Sequence, residues 1–252
     1  MDIKYISLIT FIIFIIISFS KIGKNINRKV IIITFYIYNE LNMLFKLPFV
    51  KKNKGFKVHP SRLTKILKTK ITEKYNSHNI IKKKCIYLCN HRSWADFWTD
   101  FDIVGGACFI SRNIMKKILP ITALVAKKSG DTIFFNRGNT DSKYELYKKI
   151  LEKIKKRNVL IYPEGTRHTS NKSKPLKMGI IKLAYENNIP LQIIITSNKE
   201  KIFSQKNLTY NKNIHCKYYA SEKISPSEYS SLSEFIESVQ EIWNESWNEI
   251  YN

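Results

Sequence analysis

The chain has 252 residues, with 43 Lys and Arg against 20 Asp and Glu, a formal net charge of +23. A hydrophobic content of 44% and an aromatic content of 13% exclude an intrinsically disordered chain, and the length suits one substantial α/β domain with a short appendage. The charge favours anionic partners (nucleic acid, anionic lipid, phosphorylated small molecules) without choosing among them, and a bias toward Lys, Asn and Ile would supply many of the same lysines as plain solvated surface.

Ile3 to Ser20 is apolar apart from Lys4 and a few hydroxyls, just long enough to cross a bilayer's hydrocarbon core as a helix. A cleaved secretory leader is the competing reading. Asp2 beside Lys4, the lack of a small-x-small site, and the following Lys21, Lys24, Arg28 and Lys29 favour an anchor whose next loop stays on the cytoplasmic side. Val30 to Phe49 is a second apolar stretch, interrupted by Asn39, Glu40, Asn42 and Lys46. It reads as an interfacial helix or the second arm of a two-helix membrane motif. Lys51, Lys52, Lys54 and Lys57 would then lie against anionic headgroups. The chain divides into a membrane-associated segment, 1–58, and a domain, 59–252, facing the cytoplasm.

Within that domain strand and helix patterns alternate. Strands are expected at Cys85–Cys89, Ala107–Ile110, Thr132–Phe135, Val159–Tyr162, Leu191–Thr196 and Ile214–Tyr219. Helices are expected at Ser93–Ile103, Asn113–Lys127 with a break at Pro120, Thr140–Lys156 and Gly179–Asn187. Such alternation implies an α/β fold with a central, largely parallel or mixed sheet covered by helices on both faces. Ser231 and Glu234 form a Ser-x-x-Glu capping box that opens a C-terminal helix carrying Phe235, Val239, Ile242, Trp243 and Trp247 on one face. The four cysteines show no CxxC and no zinc-ligand spacing, so they read as small buried hydrophobes.

Three strand ends carry chemistry. Asn90 and His91 emerge after the first strand, Ser93 is placed to cap the next helix, and Asp96 follows on its opening turn. An Asp that accepts from one imidazole nitrogen leaves the other free to take a proton. Phe135-Asn136-Arg137 ends a second strand, and Tyr162-Pro163-Glu164-Gly165-Thr166-Arg167 ends a third. In an open α/β sheet ligands bind outside the carboxyl ends of the strands, so His91, Arg137 and Arg167 should share one edge. Two guanidinium groups, the amides near Gly165 and the Thr166 hydroxyl make a good phosphate site.

Asn90-His91-x-x-x-x-Asp96, Phe135-Asn136-Arg137 and Tyr162-Pro163-Glu164-Gly165-Thr166-Arg167 resemble, in order and separation, the sequence blocks of the glycerolipid acyltransferases, best represented by the lysophosphatidic acid acyltransferases. Pro175-Leu-Lys177-Met-Gly179 and Ile189-Pro190-Leu191 are similar to the later blocks. Tyr162 stands where Phe is usual, and a second Pro usual near Ile193 is missing. The resemblance implies that His91 is the general base, oriented by Asp96. It implies an acyl-CoA co-substrate, and neither a further cofactor nor a metal. The lysophospholipid acceptor would be held by Arg137, Glu164, Gly165, Thr166 and Arg167. Glu164 would either orient Arg167 or bind glycerol oxygens, and Lys177 would either bind a CoA phosphate or be solvated surface. The partners implied are the bilayer and the two substrates, with no nucleic acid. The acceptor stays open among lysophosphatidate, glycerol 3-phosphate, lysocardiolipin and lysophosphatidylinositol. A reading of another class, a non-enzymatic basic membrane tether that binds lipid or nucleic acid, accounts for the charge but not for the motif residues.

Overall fold

The computed structural model describes residues 36–51, 64–136, 140–204 and 209–252, together with residues 33 and 138. The expected anchor Ile3–Ser20, the boundary at 58/59 and Arg137 all lie outside these described residues. Among the described residues, no helix is long and apolar enough to cross a membrane.

In chain order the strands of the main sheet are β1 (Lys70–Glu73), β2 (Ile86–Cys89), β3 (Cys108–Arg112), β4 (Thr132–Phe135), β5 (Val159–Ile161), β6 (Leu191–Thr196) and β9 (His215–Ala220). They lie in the order β1-β9-β6-β2-β5-β3-β4. The run from β6 to β4 is parallel throughout. β9 returns antiparallel to β6, and β1 lies parallel to β9 at the margin. The reversal has a local cause. Between β6 and β9 the described chain makes the four-residue helix Lys199–Ile202 and a hairpin of β7 (Phe203–Ser204) and β8 (Thr209–Tyr210) in place of the crossover helix that usually returns a chain to a parallel strand. β1, a half-exposed four-residue edge strand, is too short for its pattern to announce itself.

The helices are α1 (residues 36–46), α2 (Asp96–Val104), α3 (Met115–Ile118), α4 (Pro120–Ser129), α5 (Thr140–Ile154), α6 (Met178–Glu186), α7 (Lys199–Ile202) and α8 (Leu232–Tyr251). Successive strand residues point to opposite faces of the sheet. Ile86, Leu88, Val159, Ile161, Ile193 and Ile195 pack under α5, α6 and α8 on one face. Tyr87, Cys89, Phe109, Leu160 and Ile194 pack against Phe101 of α2 on the other. All six β6 residues are buried, as a central parallel strand covered on both sides requires. Ser231 Oγ accepts the Glu234 amide, as the capping box demands, and the Glu234 carboxylate reaches back to the backbone at Ser230 and Ser231.

Asn39 and Glu40, the polar residues that interrupt the second apolar stretch, dock α1. The buried Glu40 carboxylate accepts the Ile121 amide at 2.8 Å and the Thr122 hydroxyl. Pro120 has no amide proton to offer, so the first free donors of α4 face this carboxylate, and the helix dipole favours its charge. Asn39 Nδ2 donates to Thr122 Oγ1 at 3.1 Å and Tyr36 Oη to the Ile118 carbonyl. Tyr36, Ile37, Leu41, Leu44, Phe45 and Phe49 are left exposed.

Ile193, central in the sheet and fully buried, sets a test of this core. Ile193→Ala should lower the unfolding free energy by about 2–5 kcal/mol, seen as a lower urea midpoint at an unchanged slope.

Candidate active site

The parallel strands bring their carboxyl ends to one edge, and side-chain bonds lock those ends together. Asn90 Nδ2 donates to the Thr196 carbonyl and Asn90 Oδ1 accepts the Thr196 amide, both at 3.0 Å, so an amide side chain extends the β2–β6 pairing. The His91 amide donates to Glu164 Oε2 at 2.6 Å, and the His168 amide donates to the His91 carbonyl at 3.1 Å. These two bonds draw the whole turn after β5 against the residue that leaves β2. Gly165 sits in that turn at φ +70, where a Cβ would also strike the Lys177 stem at 2.5 Å. Both the backbone and the space there call for glycine.

His91 Nδ1 lies 2.6 Å from Asp96 Oδ2. The same oxygen accepts the Arg92 amide at 2.7 Å, and Oδ1 accepts the Ser93 amide at 3.0 Å. Asp96 is fully buried. Burial pushes its carboxyl up, while the Lys199 ammonium, the bond from His91 and the Arg92 amide together outweigh burial and hold it below the usual carboxylate range. With Nδ1 so engaged, Nε2 of His91 has no hydrogen-bond partner among the described residues, and the side chain keeps 17% exposure. Its ring stacks on Tyr162, centroids 4.3 Å apart. The arrangement can accept a proton at Nε2 and stabilise the resulting imidazolium through Asp96.

Behind the dyad is a buried ionic cluster absent from any sequence motif. Lys199 Nζ lies 2.9 Å from Asp100 Oδ2, 3.7 Å from Asp96 Oδ1 and 2.7 Å from the Asn90 carbonyl. Tyr162 Oη donates to Asp100 Oδ2 at 3.1 Å. The Asp100 carboxyl is pushed up to about 7, chiefly by burial, with Lys199 opposing and the Asp96 charge adding to the rise.

The sequence-derived residues do not all behave as expected. Helix α2 begins at Asp96, after Ala95, without a side-chain cap. Ser93 is not its cap: its hydroxyl accepts the Ala95 amide at 3.0 Å and donates to the Lys199 carbonyl at 2.8 Å. The turn 91–95 is spent wrapping the Asp96 carboxylate, which delays the helix. Glu164, expected either to orient Arg167 or to bind glycerol oxygens, is buried and faces inward. Its two oxygens hold the His91 amide and, at 2.5 Å, His168 Nε2, so it shapes the site from within. Thr166 and Arg167 are exposed on the same turn, and Arg167 has no hydrogen bond or ion pair with any described residue. Lys177 reaches over Gly165 in the same region.

Arg92 was also not anticipated. Its buried guanidinium pairs with Glu200 at 3.0 Å, donates to the Thr169 and Ser170 carbonyls, and stands 4.8 Å from the Tyr251 ring. It ties the turn that carries His91 to the end of α8. An Arg directly after the motif His was the only available signal; nothing in sequence separates Lys199 from the many surface lysines.

Comparison with known proteins agrees with this geometry. A family model described as Acyltransferase matches residues 69–197. The chain is similar to the 1-acyl-sn-glycerol-3-phosphate acyltransferase of Saccharomyces cerevisiae, 30% identical over 138 residues that cover 53% of this chain and 45% of that protein. It is also similar to the Lyso-ornithine lipid O-acyltransferase of Pseudomonas aeruginosa, 27% identical over 120 residues, 46% of this chain and 44% of that one. The matches thus span about half the length of these curated relatives. The crystal structure of the 1-acyl-sn-glycerophosphate (LPA) acyltransferase PlsC from Thermotoga maritima shares the fold, with a TM-score of 0.66 at 17% identity over 90% of this chain and 95% of that one.

The inward role of Glu164 is open to a stability test. Glu164→Ala should cost about 1–3 kcal/mol by stranding the His91 amide and the His168 ring, whereas Glu164→Gln keeps an acceptor for the amide and should cost less, both read by chemical denaturation.

Proposed function

Because the chain belongs to the acyltransferase family, we propose that it is a membrane-associated O-acyltransferase that moves a fatty acyl group from acyl-CoA to the free hydroxyl of lysophosphatidic acid, yielding phosphatidic acid. The observation that carries this reading is the 2.6 Å bond from Asp96 to His91 Nδ1, which leaves Nε2 as the free base at the strand edge. Nε2 takes the acceptor's hydroxyl proton while the oxygen bonds to the thioester carbonyl carbon. The tetrahedral adduct collapses with cleavage of the C–S bond. The departing thiolate takes the proton back from the imidazolium, so the base is restored and no protein nucleophile is needed. A general base of this kind supplies about 10²–10⁴ in rate, and holding the two substrates together contributes further.

Acceptor binding falls to the turn after β5. The exposed Arg167, without a hydrogen-bond or ion-pair partner among the described residues, would take the phosphate in a bidentate contact, assisted by the Thr166 hydroxyl and the backbone at Gly165. Arg137 is assigned to the same phosphate on the resemblance of its block. Lys177, which crosses Gly165, adds positive charge. The membrane side of the reading is supported by α1 and the turn after it: Ile37, Leu41, Leu44, Phe45 and Phe49 are exposed beside Ile118 and Leu124. Such a face suits a helix lying in the interfacial plane. A second reading, an O-acyltransferase for a different lysolipid, is favoured by the resemblance to the Pseudomonas lyso-ornithine lipid enzyme.

With labelled acyl-CoA and a panel of lysolipids, lysophosphatidate should be the best acceptor; preference for another lysolipid selects the second reading. His91→Ala should cut turnover by about 10²–10⁴ with the circular dichroism spectrum intact, and retained turnover would remove His91 as the base. Arg167→Lys should raise the acceptor KM about tenfold or more, for loss of a bidentate, charge-assisted contact, with kcat little changed. An unchanged KM removes Arg167 from the acceptor site.

A further inference from the structure

The groups behind His91 close a ring. From the imidazole the path runs through Asp96 at 2.6 Å, on to Lys199 at 3.7 Å, to Asp100 at 2.9 Å and to the Tyr162 hydroxyl at 3.1 Å. The Tyr162 ring then stacks back on the imidazole face at 4.3 Å. Lys199 is the member that touches both sides, and it is fully buried. Its ammonium donates to the Asn90 carbonyl, one residue before His91, and its own carbonyl accepts the Ser93 hydroxyl. One residue thus grips the catalytic turn before and after His91. It is held there by Asn198 before it, whose backbone is left-handed at φ 60.

We propose that Lys199 is a positioning residue for the His91–Asp96 dyad, setting the plane and tautomer of the imidazole from behind, through Asp96 on one side and through Asp100 and Tyr162 on the other. The proposal rests on the reading of His91 as the base. Two buried carboxylates and an ammonium are a costly way to join a helix to a sheet, and apolar side chains of the same volume would often do so at no loss of stability. The charges therefore point to the imidazole they surround. Tyr162, which stands where Phe is usual, is part of the device, because its hydroxyl donates to Asp100 where a phenyl ring could not.

The charge balance gives a measurable sign. Facing Lys199 are Cys89 from β2, Asp96 and Asp100 from α2, Tyr162 after β5, Cys216 from β9 and Tyr251 from α8. Burial pushes the thiols and phenols well up, so near neutral pH they carry no charge. Burial raises the Asp100 carboxyl against the opposing pull of Lys199, so the Lys199 cation is what offsets the Asp96 anion. Without Lys199, the Asp96 anion loses its buried cation and keeps only the Arg167 charge and the Arg92 and Ser93 amides to offset it, which favours imidazolium. The acid limb of the kcat/KM profile should then move to higher pH.

The test compares Lys199→Met with the double variant Lys199→Met/Asp100→Asn, which removes the cation without leaving a buried carboxyl behind, in the full chain. Expected for the double variant is a melting temperature recovered relative to the single one, with kcat still down about tenfold or more, a fraction of what a general base supplies. The acceptor KM should be unchanged and the acid limb displaced upward. A double variant with wild-type kcat and a wild-type acid limb would mean that Lys199 only holds the fold together, and would overturn the proposal. Nitrogen-15 NMR of the His91 ring in the same proteins separates this outcome from failure of the proposed reaction. The wild-type ring should hold its single proton at Nδ1. The double variant should mix tautomers and take up the second proton at higher pH. If the wild type transfers no acyl group to any lysolipid, the reaction is wrong, and these spectra still decide the role of Lys199: an identical tautomer and titration in both proteins refutes it.

Discussion

The carboxylate of Asp96 is the constraint around which the site is built. It lies on the first turn of α2 yet accepts from groups upstream of that helix: the His91 ring, the Arg92 amide and the Ser93 amide. A chain leaving a strand normally hands its next amides to water or to a helix cap. Here they converge on one buried anion, so the path from β2 to α2 and the direction of the imidazole are settled by the same group. An anion so placed is unfavourable unless it is compensated. The compensation comes from three hydrogen bonds and from an ammonium delivered by the far end of β6.

The sheet makes that delivery possible. Five adjacent parallel strands end at one edge, so loops distant in the chain meet there: Asn90 and His91 after β2, Glu164 to His168 after β5, Lys199 after β6. The meetings are then fixed by specific bonds, since Glu164 holds the His91 amide, Asn90 bridges to Thr196, and Arg92 reaches Glu200, the loop at residues 169–170 and the ring of Tyr251. The division of labour is clean. The groups proposed to act on substrate, Nε2 of His91 and the Arg167 guanidinium, have no hydrogen-bond or ion-pair partner among the described residues. The residues that hold them are buried and saturated with bonds.

Much of this was legible in the chain. Each expected strand is present within one or two residues, because buried parallel strands read as short apolar runs and the helices between them show 3.6-residue periodicity. The break at Pro120 and the amphipathic α5 and α8 followed from the same physics. The errors are equally physical. Ser93 has the composition of a cap, but tertiary bonding claimed its hydroxyl for the Lys199 carbonyl. Glu164 sits in a motif whose neighbours are read as acceptor contacts, yet its carboxylate turns inward to two donors. That Tyr162 stands where Phe is usual was legible, but the sequence does not tell that Asp100 waits opposite its hydroxyl. β1 was missed because a four-residue edge strand has no pattern of its own, and α1 was read for its lipid-facing residues while Glu40, which docks it, counted only as an interruption.

Sequence alone therefore determined the family resemblance and the alternation of strands and helices, and it singled out His91, Asp96 and Arg167 as the candidates for base, orienting carboxylate and acceptor contact. Those depend on local pattern and on residue types at short spacing, which the chain displays directly. Which side of a carboxylate faces substrate, which lysine is buried, and which hydroxyl closes the ring behind His91 were decided by the tertiary structure. The physical reason is distance along the chain. Asp96 and Lys199 are 103 positions apart in number, and the free energy that binds them exists only after five strands have brought their ends into register.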